Sequence, residues 1–241
     1  NIKPLDVDRQ REYLHRYLGE TEGESLFRQM GGAAMINRQS LTRTQATEQL
    51  MKELIAVAKG PPGPKNKTLL SNRDSRPLLA LGHNPYMLMI TAQVYAAHGG
   101  VLPQNRGRLF ATFVDTLLGR EEERCDPAIW PGADTLRLGM TRLAYTMHET
   151  EERGTAVDVE WATIQLAQPN VDVNLIVYLC ASATLLDKSN SQVRFVHQLV
   201  QEYFVALEVL DRIKQGDDLN RYWSKDWTQP SGWEETFILL A

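Results

Sequence analysis

Leu185-Leu-Asp-Lys-Ser-Asn-Ser-Gln-Val-Arg-Phe-Val-His197-Gln-Leu-Val-Gln-Glu-Tyr-Phe-Val-Ala-Leu-Glu-Val-Leu-Asp211 contains two changes of periodicity within one run. The apolar pairs Leu185-Leu186 and Val193-Phe195-Val196 flank a polar Lys-Ser-Asn-Ser turn, which predicts a β-hairpin. Past His197 the apolar residues Leu199, Val200, Tyr203, Phe204, Leu207 and Leu210 recur three or four apart, the spacing of one face of a helix. Gln201, Glu202, Glu208 and Asp211 are expected to face water. His197 therefore stands where a strand hands over to a helix.

Working outward from that hinge, the order helix, short strand, helix, helix, hairpin, helix is expected between about 126 and 212. Leu136, Met140, Leu143, Ala144 and Met147 lie on one face of a helix over 135–150. A short strand at 155–157 precedes a helix over 159–167 with Asp158 as its cap, and a Gln-Pro-Asn turn leads into a helix over 171–183. Upstream, Asp6 is a plausible cap for a helix bearing Val7, Leu14, Tyr17 and Leu18 on one side, stopped by Gly19. Further helices are expected over 22–30 and 44–58. The segment 59–68, Lys-Gly-Pro-Pro-Gly-Pro-Lys-Asn-Lys-Thr, supports neither helix nor ladder and reads as a solvated loop. At Asn84-Pro85 an N-cap is followed by proline at the first helical position, where its missing N–H costs nothing. The apolar spacing of Leu109, Phe110, Phe113, Val114, Leu117 and Leu118 predicts another helix, leaving through a solvated Arg120-Glu-Glu-Glu-Arg124 end. Near the C-terminus Ser231-Gly-Trp-Glu234 has the spacing of a capping box, and Trp223, Trp227 and Trp233 are expected to pack against the 126–212 segment or against a following repeat.

Composition bounds the function. The chain has 241 residues, 43% of them hydrophobic and 23% charged, ordinary for a protein with a packed core. A net charge of −4 gives no electrostatic reason for nucleic acid or an anionic membrane as main partner. Two cysteines, Cys125 and Cys180, are too few for a disulfide scaffold, so a reduced, cytoplasmic setting is expected. No apolar run reaches membrane-spanning length and no signal peptide opens the chain. Beginning with Asn-Ile-Lys-Pro-Leu and stopping inside an apolar run, the sequence is expected to be a piece of something longer.

Four stretches together carry a resemblance. The run Phe195-Val-His-Gln-Leu-Val-Gln-Glu-Tyr-Phe-Val-Ala206 resembles the Phe-x-His-x-x-x-Gln-Glu-Tyr/Phe-Phe-x-Ala signature that closes the winged-helix part of NACHT nucleotide-binding proteins, the signal-transducing ATPase switches of innate immunity and bacterial defence. Pro4-Leu-Asp with Tyr13-Leu-x-x-Tyr-Leu18, Asn84-Pro-Tyr-Met-Leu88 followed by Leu102-Pro-x-x-Arg106, and Trp233-Glu-Glu-Thr-Phe-Ile-Leu-Leu-Ala241 agree in order. The resemblance implies a mainly α chain: the edge of a nucleotide-binding domain over 1–4, a helical domain over 5–125, a winged-helix domain with a small hairpin over 126–212, and the start of a helical, repeat-like sensor region over 213–241. Its implied site residues are His197, contacting the phosphates of bound ADP, and Pro85, packing against the adenine. It implies ADP or ATP, with magnesium, in a parent protein that oligomerises with itself on activation. The partners of this piece would be the upstream nucleotide-binding domain and the downstream sensor region.

Hydrolysis is not expected of the chain itself, because no Gly-x-x-x-x-Gly-Lys-Ser/Thr phosphate loop and no acidic run closing an apolar strand occurs in it. A histidine that only hydrogen-bonds its neighbours at a helix start, and a proline that only opens a helix, are the plainer readings of the two residues. Two rival functions are a helical scaffold without nucleotide and a DNA-binding winged helix. DNA is disfavoured because no Lys or Arg lies between Arg153 and Lys188, where phosphates would have to be neutralised. His15, His83, His98 and His148 have no partners at metal-ligand spacing, and no Ser, His and Asp set points to nucleophilic catalysis.

Overall fold

A computed structural model of the chain describes residues 4–31, 81–103, 105–150, 156–168, 171–189, 191–222 and 232–240. Their backbone is mainly helical, with one small antiparallel sheet. Two compact units divide the chain, residues 1–109 and 110–241. The helix expected over 44–58, the 59–68 loop, Trp223, Trp227 and Ser231 lie outside the described residues. Leu81, just before the Asn84-Pro85 corner, is buried.

In the first unit, α1 spans Val7–Leu18 and α2 Glu20–Gln29. Asp6 caps α1 as its sequence position implies, its carboxylate accepting the Arg9 N–H at 2.8 Å. Gly19 ends α1 at φ +86, a conformation open to glycine and strained for other residues. The two helices then pack so closely that a Cβ on Gly23 would stand 2.6 Å from the Leu14 carbonyl oxygen. Leu14 and Gln10 are the buried residues of α1, whereas Tyr17, expected on the buried side, is exposed. It stacks instead on Tyr13, 5.9 Å between ring centroids.

Helix α3, Pro85–Ala97, follows, and the side-chain amide of Gln29 fixes the loop beyond it. That amide donates to the Gly100 carbonyl at 2.9 Å and accepts from the Leu102 N–H at 3.2 Å. Asn105 then caps α4, Arg106–Arg124, accepting from the Arg108 N–H.

The second unit contains α5, Ala133–Glu149, the strand β1, Ala156–Asp158, and helices α6, Val159–Leu166, and α7, Val173–Ser182. Strands β2, Leu186–Lys188, and β3, Gln192–Phe195, form the hairpin, and α8 spans Gln198–Lys214. The sheet order is β1-β3-β2, both pairings antiparallel, with Val157 opposite Val193 and Leu186 opposite Phe195. A short 3-10 turn, Leu219–Tyr222, precedes the last helix, α9, Glu234–Leu240. The core side of α5 is as expected: Leu136, Met140, Leu143, Ala144 and Met147 are all buried. Asp172 caps α7 through the Asn174 N–H, but Asp158, at the N-cap position of α6, makes no capping bond with its side chain.

Three polar residues expected in water are buried instead. Glu121 is 3% exposed, and Gln201 and Glu202 are 7% exposed each. In each acid's case the reason is a hydroxyl brought from far along the chain. Ser182 of α7 donates to Glu121 at 2.6 Å, and Thr236 of α9 donates to Glu202 at 2.9 Å. A buried carboxylate is tolerated when such partners replace its water. Among the described residues no helix is long and apolar enough to cross a membrane.

Candidate functional site

His197 is the N-cap of α8. Its backbone is extended, φ −151 and ψ 142, as it leaves β3, and its Nδ1 accepts the Leu199 N–H at 3.1 Å. The Val200 and Gln201 amides both turn to the His197 carbonyl, at 3.0 and 3.3 Å. The amides of Leu199, Val200 and Gln201 are therefore already engaged. Because Nδ1 is an acceptor, a neutral imidazole here carries its proton on Nε2. Partial burial lowers the pKa of His197 from its ordinary value, favouring that neutral form. The start of a seventeen-residue helix adds a favourable field for an anion.

Packing holds this hinge. Phe195, the last residue of β3, and Phe204 of α8 lie 6.0 Å apart between ring centroids, and Tyr203 stacks on Phe110 at 5.9 Å. Burial pushes the Tyr203 hydroxyl up to about 12, so it remains a neutral hydrogen-bonding group. The Val196 N–H donates to the Leu185 carbonyl, which ties the approach to His197 back to the start of the hairpin.

Pro85 stands at the first position of α3, half-buried, with the Asn84 carbonyl oxygen of the side chain accepting the Tyr86 N–H at 2.9 Å. The corner is held from behind. His83 donates from Nδ1 to the Leu5 carbonyl at 2.6 Å, and the Leu5 N–H donates to the His83 carbonyl at 2.8 Å. Gln10 of α1 adds a bond from its amide nitrogen to Leu5 at 3.1 Å. Sequence reasoning treated His83 as an undistinguished histidine; its partner lies 78 positions away, which no local pattern reveals.

No family model matches the chain, and no curated protein matches it.

Other histidines have structural surroundings. His15 approaches Glu24 at 3.2 Å, beside Arg11 and Arg28 on the same carboxylate. These partners hold the Glu24 carboxyl below its ordinary value, chiefly through the Arg11 hydrogen bond. His148 of α5 lies 4.3 Å from the Trp233 ring and 4.0 Å from Glu202. Trp233 also meets Tyr222 and Tyr145, so of the three late tryptophans the described one does pack on the preceding helices. Both cysteines are free, and burial pushes the Cys180 thiol up to about 12, a poor nucleophile. Among the described residues no group of three or more His, Cys, Asp or Glu side chains is placed to hold a metal ion.

Proposed function

We propose that the chain is the regulatory portion of a NACHT-type, STAND-class switch ATPase involved in signal transduction or antiphage defence: a helical domain, a winged-helix domain and the opening of a helical sensor region. The observation that carries this reading is His197 as the cap of α8. Ser, Thr, Asp and Asn are the usual caps, so a histidine in that position is a departure from the common chemistry of helix starts. With Nδ1 accepting the Leu199 N–H, the imidazole is oriented at the positive end of a helix, a place that suits an anion such as a phosphate of ADP.

Pro85, rigid and half-buried at the Asn84 corner, supplies a flat apolar surface suited to a base. The element order and the β1-β3-β2 sheet support the winged-helix reading of the second unit. On this reading ADP holds the winged helix against an upstream nucleotide-binding domain, and exchange for ATP releases it for self-assembly in the cytoplasm. Phosphate-loop and magnesium-binding residues, and hence hydrolysis, belong to that upstream domain.

The test is ADP retention by the parent protein. His197→Leu should release ADP at least about tenfold faster and give signalling without stimulus. Retention equal to the unsubstituted protein would remove the role.

A further inference from the structure

The outward surface of α6 and α7 combines large exposed apolar side chains with carboxylates. Both helices face α5 at Gly139, where an added Cβ would meet Leu166 at 3.1 Å and Ile176 at 3.6 Å. Two residues along a helix turn the side chain through about 200°. Ile164, two before Leu166, and Tyr178, two after Ile176, therefore both point away from α5. They are 67% and 65% exposed, high values for large apolar side chains. Leu175 beside them is half-exposed.

On the two helices and their starts the charge has one sign; Arg194 on the neighbouring strand β3 is paired with Asp187. Asp158, Glu160 and Asp172 are exposed on the same two helices and their starts. Neither helix, nor the turn between them, contains a Lys or Arg. Asp172 spends one oxygen on the Asn174 N–H, an uncharged partner. An apolar centre rimmed by carboxylates repels the phosphates of nucleic acid and complements a cationic apolar ligand.

We infer that the α6–α7 surface is a docking site for an amphipathic helix whose apolar stripe is flanked by Lys or Arg. Ile164 and Tyr178 form the apolar contact, the tyrosine as a rigid aromatic anchor, and the three carboxylates orient the cationic flanks. This site is independent of any nucleotide contact by His197.

The experiment uses the 241-residue chain and two synthetic helical peptides, one with a Leu stripe flanked by Lys, the other identical but with Glu for every Lys. Fluorescence anisotropy should detect binding of the Lys peptide only, and NMR shift changes in the unsubstituted chain should centre on α6 and α7. Ile164→Ser with Tyr178→Ser should weaken that binding at least about tenfold. Asp158→Asn with Glu160→Gln should weaken it and flatten its salt dependence. These side chains are exposed, and thermal melting checks that each variant folds. Equal binding of the Glu peptide, shift changes centred elsewhere, or unchanged affinity in the variants would overturn the proposal. So would duplex DNA binding that the same substitutions abolish, or self-association through this surface measured by sedimentation.

Discussion

Helices α3 and α8 are both largely buried, yet they are built on opposite plans. From Pro85 to Ala97, α3 has no charged residue, and its buried Thr91 hydroxyl is satisfied within one turn by the Met87 carbonyl. Its start uses Asn and Pro, the standard chemistry of a helix N-terminus. By contrast α8 begins with a histidine cap and buries Glu202 in its second turn, bonded to a hydroxyl 34 residues away. Apolar packing dominates α3, whose distant polar bond, from the Tyr95 hydroxyl to Glu22, lies near its end. In α8 the distant polar partner sits close to the helix start, where it fixes the rotation of the first turns. A helix whose orientation is specified this way is suited to holding a ligand at its tip.

The largest effect on stability should come from breaking the second plan. Glu202→Ala leaves the Thr236 hydroxyl buried without its acceptor and is expected to cost about 1–3 kcal/mol by chemical denaturation. Thr91→Ala, which removes only a local bond and whose lost acceptor is a helical carbonyl, should cost clearly less. Equal losses would erase the contrast. Next comes the cap itself. His197→Ala is expected to cost about 1 kcal/mol. His197→Asn, which keeps a short acceptor at the N-cap, should restore most of that stability yet fail to restore ADP retention in the parent protein, since the imidazole is gone. If Asn restores both, the imidazole is only a cap.

At the other helix start, Asn84→Ala should also cost about 1 kcal/mol, by loss of the Tyr86 bond. The two starts should differ in their response to pH. The folded pKa of His197 lies below the ordinary 6.5, so the unfolded chain takes up the proton first as pH falls. The contribution of His197 is thus complete above the unfolded value and is lost as pH drops through the folded one. NMR titration should find its midpoint below 6.5, and the His197→Asn variant should lack this component of the stability profile. No such window is expected from Asn84, which does not titrate.

Much of the architecture could be read from periodicity and punctuation. The hairpin at 186–195, the helix after His197, the buried face of α5 and the caps Asp6 and Asn84 all follow from short-range rules. Charge was the misleading signal. Glu121 and Glu202 read as solvated because an acid beside other polar residues usually is, and the hydroxyls that admit them lie 61 and 34 positions away. His83 and Leu5 illustrate the same limit, a reciprocal pair closed across most of the first unit's sequence. The position of His197 was legible because it sits at a change of period. Its use of Nδ1 on the Leu199 amide was not, since the choice of ring nitrogen depends on the χ angles of one side chain.

The Thr236–Glu202 bond joins α9 to the second turn of α8, just past the cap His197. An α-helix of seventeen residues is a stiff rod about 25 Å long. Tilting it at the histidine end must therefore carry the attached C-terminal helix along, or else tear a carboxylate from its only buried hydroxyl neighbour among the described residues. The bolt is set close to the histidine end of the shaft, so a small displacement there reaches the C-terminal helix directly.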